Sequence, residues 1–355
     1  MIAVPPCVDS PEALQMLKRV THVYTDLDGT LFAPGGRLLS AHDGTPSAAT
    51  AQALVALRQA GVEVIPVTGR NRIQGNEIMR ILSLQTFIGE LGCVMQEGFG
   101  AHASVQYVLG EWEALRLDEN VADEDTGARG TTSFTPYERI MQSGAIERLI
   151  AAFPGKLENH NPYDVTREVT VMLRGFIDYS RGERILNEGS LPLRLLDNGV
   201  IRPQEHTLID CPEIHIYHVM PRGAGKGPAV AYDMAKRGLV REQTVAVGDA
   251  IGDMAMGEHT GSYVLMNGGA PEKVLDGYHA GILRKADCDS AAGGVSDSAG
   301  SAACDSATGG TAGDFADSGL TSCVDAFGFP VFLTRGRTAD GWAEFAHALL
   351  AAKNT

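Results

Sequence analysis

Short apolar runs alternate along the chain with longer segments in which apolar residues recur every three or four positions. The short runs, each long enough for one buried strand, cover about 20–25, 62–67, 244–250 and 262–267. The longer segments, which have the spacing of helices with one apolar face, include 47–61, 71–84 and 226–238. Strands and helices that alternate in this way predict an α/β fold with a doubly wound, Rossmann-like parallel sheet.

The pattern changes between about 107 and 218, where strands and helices no longer alternate. Two segments have helical spacing, 135–153 and 178–189. Three others have the composition of strands, 167–177, 193–201 and 213–220. We therefore predict a compact α+β cap domain inserted into the α/β core. The chain then divides into a first core part (1–106), the inserted domain (107–218), a second core part (219–284), a low-complexity segment (285–326) and a C-terminal core strand and helix (327–355).

The low-complexity segment 285–326 is acidic and rich in Ala, Ser and Gly. Between Asp287 and Asp325 it contains seven Asp and no Lys or Arg, and few large apolar residues. Such a composition buries too little apolar surface to offset the entropy lost on ordering. We therefore predict that this segment is disordered.

The charge balance and the cysteines restrict the possible partners and location. The 355 residues include 29 basic and 44 acidic ones, a formal net charge of -15, which argues against binding to nucleic acid or to an anionic membrane. No apolar run approaches the length of a membrane span, and the N-terminal stretch lacks the basic region of a secretory signal. The six cysteines form no CxxC pair. These features predict a cytoplasmic protein with reduced thiols, and its oligomeric state stays open.

The first stretch with candidate catalytic residues is DLDGT, which directly follows an apolar run. Residues two apart in a strand point to the same side, so Asp26 and Asp28 are expected to converge beyond the strand end. Two neighbouring carboxylates repel each other, and this predicts a cation nearby. A pair of this kind suits aspartyl-phosphate chemistry, in which one Asp attacks and the other moves protons. A strand-end turn with acidic residues is the alternative.

Three further polar clusters occur at comparable places, where ligands bind in doubly wound sheets. The stretch VIPVTGR brings Thr68 and Gly69 to a strand end, where a hydroxyl and backbone amides can hold a phosphate oxygen. The stretch RGAGKGPAV puts Lys226 at a helix start, although it is not a P-loop. The stretch VAVGDAIGDMAM puts Asp249 after a strand and Asp253 one helical turn later, where they can hold Mg²⁺. Taken singly, each cluster is also explained by an ordinary turn, an exposed lysine or helix-capping acids.

The four clusters in this order resemble the motifs of the haloacid dehalogenase (HAD) superfamily of aspartate-nucleophile phosphohydrolases. The insertion lies between the second and third motifs, as in the branch of Cof-like and sucrose-phosphatase-like enzymes with a large α+β cap. The resemblance implies that Asp26 is the nucleophile and Asp28 the general acid and base. It also implies Mg²⁺ as cofactor, bound by Asp26, by the main-chain carbonyl of Asp28 and by Asp249.

The same resemblance implies that Thr68, Gly69 and Lys226 bind the substrate phosphate. Asp253 would orient Lys226 or a water bound to the metal. Cof-like members usually have Asn before the second acid of the fourth motif, and Gly252 stands there in this chain. One contact to the metal or its water is therefore in question.

These observations predict a magnesium-dependent phosphatase that hydrolyses a small phosphate monoester, a sugar or polyol phosphate by family likeness. A phosphomutase or phosphotransferase that uses the same aspartyl-phosphate is one alternative, and a non-catalytic phosphate-binding module is another. The cap is expected to select the substrate, and we name Arg167, Arg174 and His218 as candidates for that role. A zinc site is not expected.

Overall fold

The computed structural model describes residues 2–115, 134–202, 206–268, 270–292 and 323–355. The α-helices are α1 Pro11–Leu17, α2 Ala49–Gln59, α3 Arg72–Leu82, α4 Pro136–Gln142, α5 Ala145–Ala152, α6 Tyr179–Asn187, α7 Lys226–Arg237, α8 Ile251–Met254, α9 Pro271–Ala292, α10 Cys323–Phe327 and α11 Thr338–Lys353. The strands are β1 His22–Thr25, β2 Glu63–Pro66, β3 Thr86–Gly89, β4 Val94–Glu97, β5 Ser104–Tyr107, β6 Leu157–Asn159, β7 Val171–Gly175, β8 Leu193–Ile201, β9 Ile214–Pro221, β10 Thr244–Gly248, β11 Ser262–Leu265 and β12 Val331–Leu333.

Five strands form a parallel sheet in the order β12-β11-β10-β1-β2. A parallel bridge between Val67 and Ile88 brings β3 to the free edge of β2, and β3, β4 and β5 form a separate antiparallel ribbon. One face of the parallel sheet packs on side chains of α1, α2, α3 and α11, and the other on side chains of α7 and α10. The sheet is thus covered on both faces, and the predicted α/β class with a doubly wound core is confirmed.

The inserted unit consists of a four-stranded antiparallel sheet, β6-β7-β9-β8, and three helices, α4 to α6. Side chains alternate along these strands, so that Leu173, Leu195 and Tyr217 pack into one apolar cluster with the helices. Arg194 and His218 alternate with these residues and lie on the opposite face of the sheet. Strand β9 continues to Pro221, three residues past the predicted domain boundary at 218.

Helix caps fix where the chain enters the helices next to the sheet. The Ser10 hydroxyl accepts the main-chain N–H of Ala13 at the start of α1. Asn71 caps α3 in a reciprocal arrangement with Gln74. That cap directly follows Arg70, so it fixes where α3 begins after the short link from β2.

A buried ion pair, which we name the junction, connects the inserted unit to the core. The Glu90 carboxylate is fully buried and accepts the main-chain N–H groups of residues 168–170 at 2.8, 3.1 and 2.8 Å. Its Oε2 lies 3.7 Å from Nε of Arg167, and Nη2 of Arg167 donates to the main-chain oxygen of Gly69 at 3.0 Å. A buried charge is tolerated only when it is paired and hydrogen-bonded in this way, so the junction fixes the two units against each other.

The ends of the predicted disordered segment 285–326 are helical. Residues 285–292 are the last turns of α9, and 323–326 belong to α10. Helix α9 starts well inside the core, where Leu275 and Tyr278 are buried, and the helix continues from that anchored part. The central part, 293–322, lies outside the described residues. In the described part of the chain, no helix is both long and apolar enough to cross a membrane.

Candidate active site

Asp26 follows the last residue of β1, at the carboxyl edge of the parallel sheet. Its N–H donates to the main-chain oxygen of Val247 on β10 at 2.9 Å, which ties the loop to the neighbouring strand. Gly29 has φ +91°, and a Cβ there would lie 2.4 Å from Oδ2 of Asp249. The Thr30 hydroxyl donates to Oδ1 of the same carboxylate at 2.9 Å. The DLDGT loop therefore needs its glycine, and it folds back onto the acid at the end of β10.

Lys226, the first residue of α7, joins two carboxylates from different elements. Its Nζ lies 2.7 Å from Oδ1 of Asp26 and 2.5 Å from Oδ1 of Asp253. Oδ2 of Asp253 accepts the main-chain N–H groups of Asp249 and Ala250 at 3.2 and 3.1 Å. Both oxygens of Asp253 are thus engaged, and one of them holds the lysine toward Asp26.

Asp26, Asp249 and Asp253 each offer a carboxylate oxygen, and these three atoms all lie within 4.8 Å of one another. Burial, opposed by Lys226 and reinforced by the neighbouring acids, raises the pKa of Asp26 to about 8. Burial and the Asp253 charge raise the pKa of Asp249 to about 6. One lysine does not balance three clustered acids, and a divalent cation would lower the repulsion. Carboxylate oxygens are the donors that Mg²⁺ prefers, so the residues present fit that ion.

Asp28 points away from this cluster, toward Arg70. Nε of Arg70 lies 2.7 Å from Oδ2 of Asp28 and Nη2 lies 2.5 Å from Oδ1, a bidentate pair. The hydrogen bond from Arg70 raises the pKa of that guanidinium above its ordinary value. The Asp28 side chain is half exposed, and the Arg70 guanidinium also lies 5.5 Å from the ring centre of Phe32. Asp28 is therefore oriented, yet open to solvent.

Thr68 and Gly69 lie in the loop after β2, the strand next to β1 in the sheet. Thr68 is buried, and its hydroxyl oxygen accepts the main-chain N–H of Arg70 at 3.3 Å. The hydroxyl hydrogen of Thr68 then remains available to a ligand. A Cβ on Gly69 would lie 3.8 Å from Nδ2 of Asn198, so this loop also approaches β8 of the inserted unit.

The three predicted cap candidates differ in their surroundings. Arg167 is part of the junction, and Nε of Arg174 pairs with Oε1 of Glu158 at 2.6 Å. His218 is fully buried, and neither ring nitrogen has a hydrogen-bond partner. Only His218 of the three therefore keeps both of its side-chain nitrogens uncommitted to a protein partner.

Arg70 is a site residue to which the sequence reasoning gave no role, although it ends the stretch VIPVTGR. We expect Arg70→Met to lower kcat/KM for a phosphate ester by about 10- to 100-fold, because Asp28 loses the partner that fixes its position. The pair is partly exposed, so the free energy of unfolding should change by at most about 1 kcal/mol. Arg19→Met, at an exposed arginine, is the control. Unchanged kcat/KM with normal folding would contradict a positioning role.

Comparison with known proteins gives a consistent result. Residues 23–101 match the family model of the haloacid dehalogenase-like hydrolases. A Streptococcus pyogenes protein named as a candidate phosphatase is 24% identical over 170 residues, which cover 43% of this chain and 63% of that protein. The structure of the sucrose-phosphatase from a Synechocystis species, in complex with sucrose and phosphate, matches with a TM-score of 0.51 at 13% identity. That match covers 93% of this chain and 98% of the other, and it shows a shared fold.

Proposed function

The chain belongs to the haloacid dehalogenase-like hydrolases, and from this premise we propose that it is a magnesium-dependent phosphatase. It would cleave a small phosphate monoester, a sugar or polyol phosphate, through an aspartyl-phosphate intermediate. The observation that carries the proposal is the contact of Lys226 with both Asp26 and Asp253, beside Asp249. The name of the Streptococcus pyogenes relative and the ligands of the Synechocystis enzyme support the class of reaction and of substrate.

In the first step, an oxygen of the Asp26 carboxylate attacks the phosphorus atom of the ester. The bond between phosphorus and the ester oxygen breaks, and the leaving oxygen takes a proton from the carboxyl group of Asp28. The products are an alcohol and the acyl phosphate on Asp26. Because Oδ1 of Asp26 is held by Lys226, Oδ2 is the oxygen available to attack.

In the second step, Asp28 accepts a proton from a water molecule that attacks the phosphorus atom. The bond between phosphorus and the Asp26 oxygen breaks, which releases inorganic phosphate and regenerates the carboxylate. The half-exposed position of Asp28 suits this exchange of protons with solvent. The bidentate pair with Arg70 holds the ionised carboxylate in place before it accepts the proton.

The negative charge of the phosphate requires several donors at fixed positions. Lys226 supplies a charged Nζ, and Thr68 supplies a hydroxyl hydrogen. The main-chain amide of Gly69 is the third donor that we assign to the phosphate. Asp253 acts on Lys226 and on two backbone amides, so we assign it a positioning role.

The carboxylates of Asp26 and Asp249, with the main-chain carbonyl of Asp28, would hold Mg²⁺. When bound, the ion would supply positive charge next to the phosphate and offset the repulsion among the acids. The fit of the residues to this ion rests on the carboxylate oxygens of Asp26 and Asp249, which lie within 4.8 Å of each other.

We expect EDTA to abolish turnover and added Mg²⁺ to restore it. Asp249→Ala should raise the Mg²⁺ concentration at half-maximal activity by more than 100-fold, because a direct ligand is lost. Asp253→Ala should raise it by about 10- to 100-fold, the usual effect of residues that support a metal ligand. Activity measured over a Mg²⁺ titration checks both values. Full activity in a metal-free sample, or the reverse order of the two variants, would contradict the assignment.

Two assays separate this proposal from its alternatives. Para-nitrophenyl phosphate with and without EDTA distinguishes an enzyme from a phosphate-binding module, because a module releases no nitrophenol. Glucose 1-phosphate distinguishes a phosphatase, which yields glucose and phosphate, from a phosphomutase, which yields glucose 6-phosphate. The cytoplasmic location stays a prediction.

A further inference from the structure

Side chains on the face of the inserted sheet that carries Arg194 and His218 approach the catalytic edge of the core at two glycines. Nη2 of Arg194 on β8 would lie 3.4 Å from a Cβ built on Gly225, the residue before Lys226. Asn198, also on β8, approaches Gly69 in the same way at 3.8 Å. Gly69, which we assign to the phosphate, and Gly225, which precedes Lys226, therefore both lie close to polar side chains from one strand of the inserted unit.

His218 lies on this same face. It pairs across the strands with Met172 on β7 and with Leu196 on β8, and Arg194 pairs with Met220 two residues further along β9. Side chains two residues apart share a face of a strand, so Arg194 and His218 are diagonal neighbours. Nη1 of Arg167 contacts the sulfur of Met172, the neighbour of His218, and Nη2 of Arg167 donates to the main-chain oxygen of Gly69. The face that carries Met172 and His218 is therefore directed toward the core.

Both side chains have buried polar atoms without partners. His218 is fully buried with two unpartnered ring nitrogens, and Nε of Arg194 is buried without an acceptor. A buried polar group without a partner is costly, and native proteins rarely keep one unless a ligand or water satisfies it. Two such groups on one face, above the catalytic edge, indicate that something else binds there.

Arg194 also differs from four arginines of the catalytic edge and the inserted unit, Arg70, Arg167, Arg174 and Arg222. Within the described residues it forms no ion pair, whereas its neighbours each have a carboxylate: Arg70 with Asp28, Arg167 with Glu90, Arg174 with Glu158 and Arg222 with Glu111. The Glu183 carboxylate attracts the Arg194 charge without forming an ion pair with it, and it accepts the main-chain N–H of Leu195. The Arg194 charge is thus available to an anion.

We propose that Arg194 and His218 bind the leaving group, and that this leaving group carries a second anionic group, which Arg194 recognises. The inference rests on the proposed phosphatase function. In an in-line displacement the leaving oxygen lies opposite the attacking one, so the leaving group extends from Asp26 toward the inserted sheet. His218, with one donor and one acceptor in its neutral ring, suits a hydroxyl of the leaving group. The substrate class is a phosphorylated polyol or sugar with a carboxylate or a second phosphate.

Matched pairs of substrates test the proposal. Gluconate 6-phosphate and glucitol 6-phosphate differ only in a terminal carboxylate against a hydroxymethyl group. Mannitol 1,6-bisphosphate and mannitol 1-phosphate test a second phosphate instead. In at least one pair, we expect the wild type to prefer the member with the second anionic group. The expected preference is 10-fold or more in kcat/KM, the effect of one charged hydrogen bond.

Arg194→Met should remove that preference. The substitution is expected to lower kcat/KM for the preferred ester by about 10- to 100-fold, mainly through a higher KM. For the matched ester without the second anionic group, kcat/KM should stay within about 3-fold of the wild-type value. Arg19→Met, at an exposed site on the core, is the control, and melting temperatures check folding. If Arg194→Met fails to fold, Arg194→Lys is the second variant. It keeps the positive charge but loses the paired N–H donors of the guanidinium, so it should lower the preference partly.

The outcomes separate two failures. A wild type that hydrolyses monoesters without preference in either pair overturns this inference and leaves the phosphatase function standing. Equal losses of Arg194→Met on both members of a pair also overturn it, because Arg194 would then act on the transferred phosphate. A wild type that hydrolyses none of the esters, para-nitrophenyl phosphate included, contradicts the phosphatase function itself.

Discussion

Asp26→Asn should reduce the turnover of any phosphate ester by at least about 10³-fold while the fold stays intact. A carboxamide has nearly the same shape as the carboxylate but is too weak a nucleophile to form the acyl phosphate. Lys226 keeps Asp253 as its partner at 2.5 Å, so the substitution leaves no buried cation unpaired. Removing one of three clustered acids also relieves repulsion, and the metal-free protein should become no less stable.

The measurement is kcat on para-nitrophenyl phosphate at saturating Mg²⁺, together with a thermal melt. Asp43→Asn, in an exposed turn of the core, is the matched control and should keep full activity. A variant of Asp26 that retains a tenth of wild-type kcat would refute the nucleophile assignment.

Lys226→Met is expected to have the second-largest effect, on both stability and activity. The lysine is 9% exposed and pairs with two buried carboxylates, so its removal leaves Asp26, Asp249 and Asp253 clustered without a cation. Breaking a buried ion pair at one partner costs about 3–5 kcal/mol. Loss of a phosphate donor as well should lower kcat/KM by about 10³-fold, as for other single charge-stabilising donors in enzyme sites.

Denaturant titrations with and without Mg²⁺ test the physical reason for this loss. If repulsion among the acids causes it, Mg²⁺ should stabilise Lys226→Met more than the wild type. Lys236→Met is the control on the same helix, because Lys236 forms a partly exposed pair with Glu97. That variant should change the free energy of unfolding by at most about 1 kcal/mol. Equal stabilisation of both proteins by Mg²⁺ would argue against the explanation.

The arrangement of the core could be predicted because its signals are local. Each parallel strand is a short apolar run, and the residue after such a run lies at the carboxyl edge by geometry alone. Asp26 and Asp249 follow from this rule, and Lys226 follows from the start of α7. The stretch 193–201 is the strand β8, Leu193–Ile201, and strand-like composition was enough to predict it.

Side chains that depend on contacts between distant parts of the chain could not be predicted. Glu90 resembles an ordinary turn acid in the sequence, and its left-handed φ of 48° and its buried contacts to residues 168–170 appear only in three dimensions. The role of Arg194 depends on which face of β8 meets the core, and the bidentate contact of Arg70 depends on the loop after β1. The two short strands β5 and β6 had no distinct apolar pattern. Helix α9 was not predicted, and its last turns, 285–292, have the low-complexity composition of a disordered segment.

The junction has a consequence for exchanging parts between related proteins. Glu90 belongs to the core by sequence, but its carboxylate accepts hydrogen bonds from the main-chain N–H groups of residues 168–170 in the inserted unit. A chimera that takes the unit 107–218 from this chain and a core without an acid at the Glu90 position would leave three amides without their acceptor and Arg167 without its counter-charge. The transferable module is therefore larger than the insertion, and a graft of substrate specificity has to carry the loop around Glu90 with it.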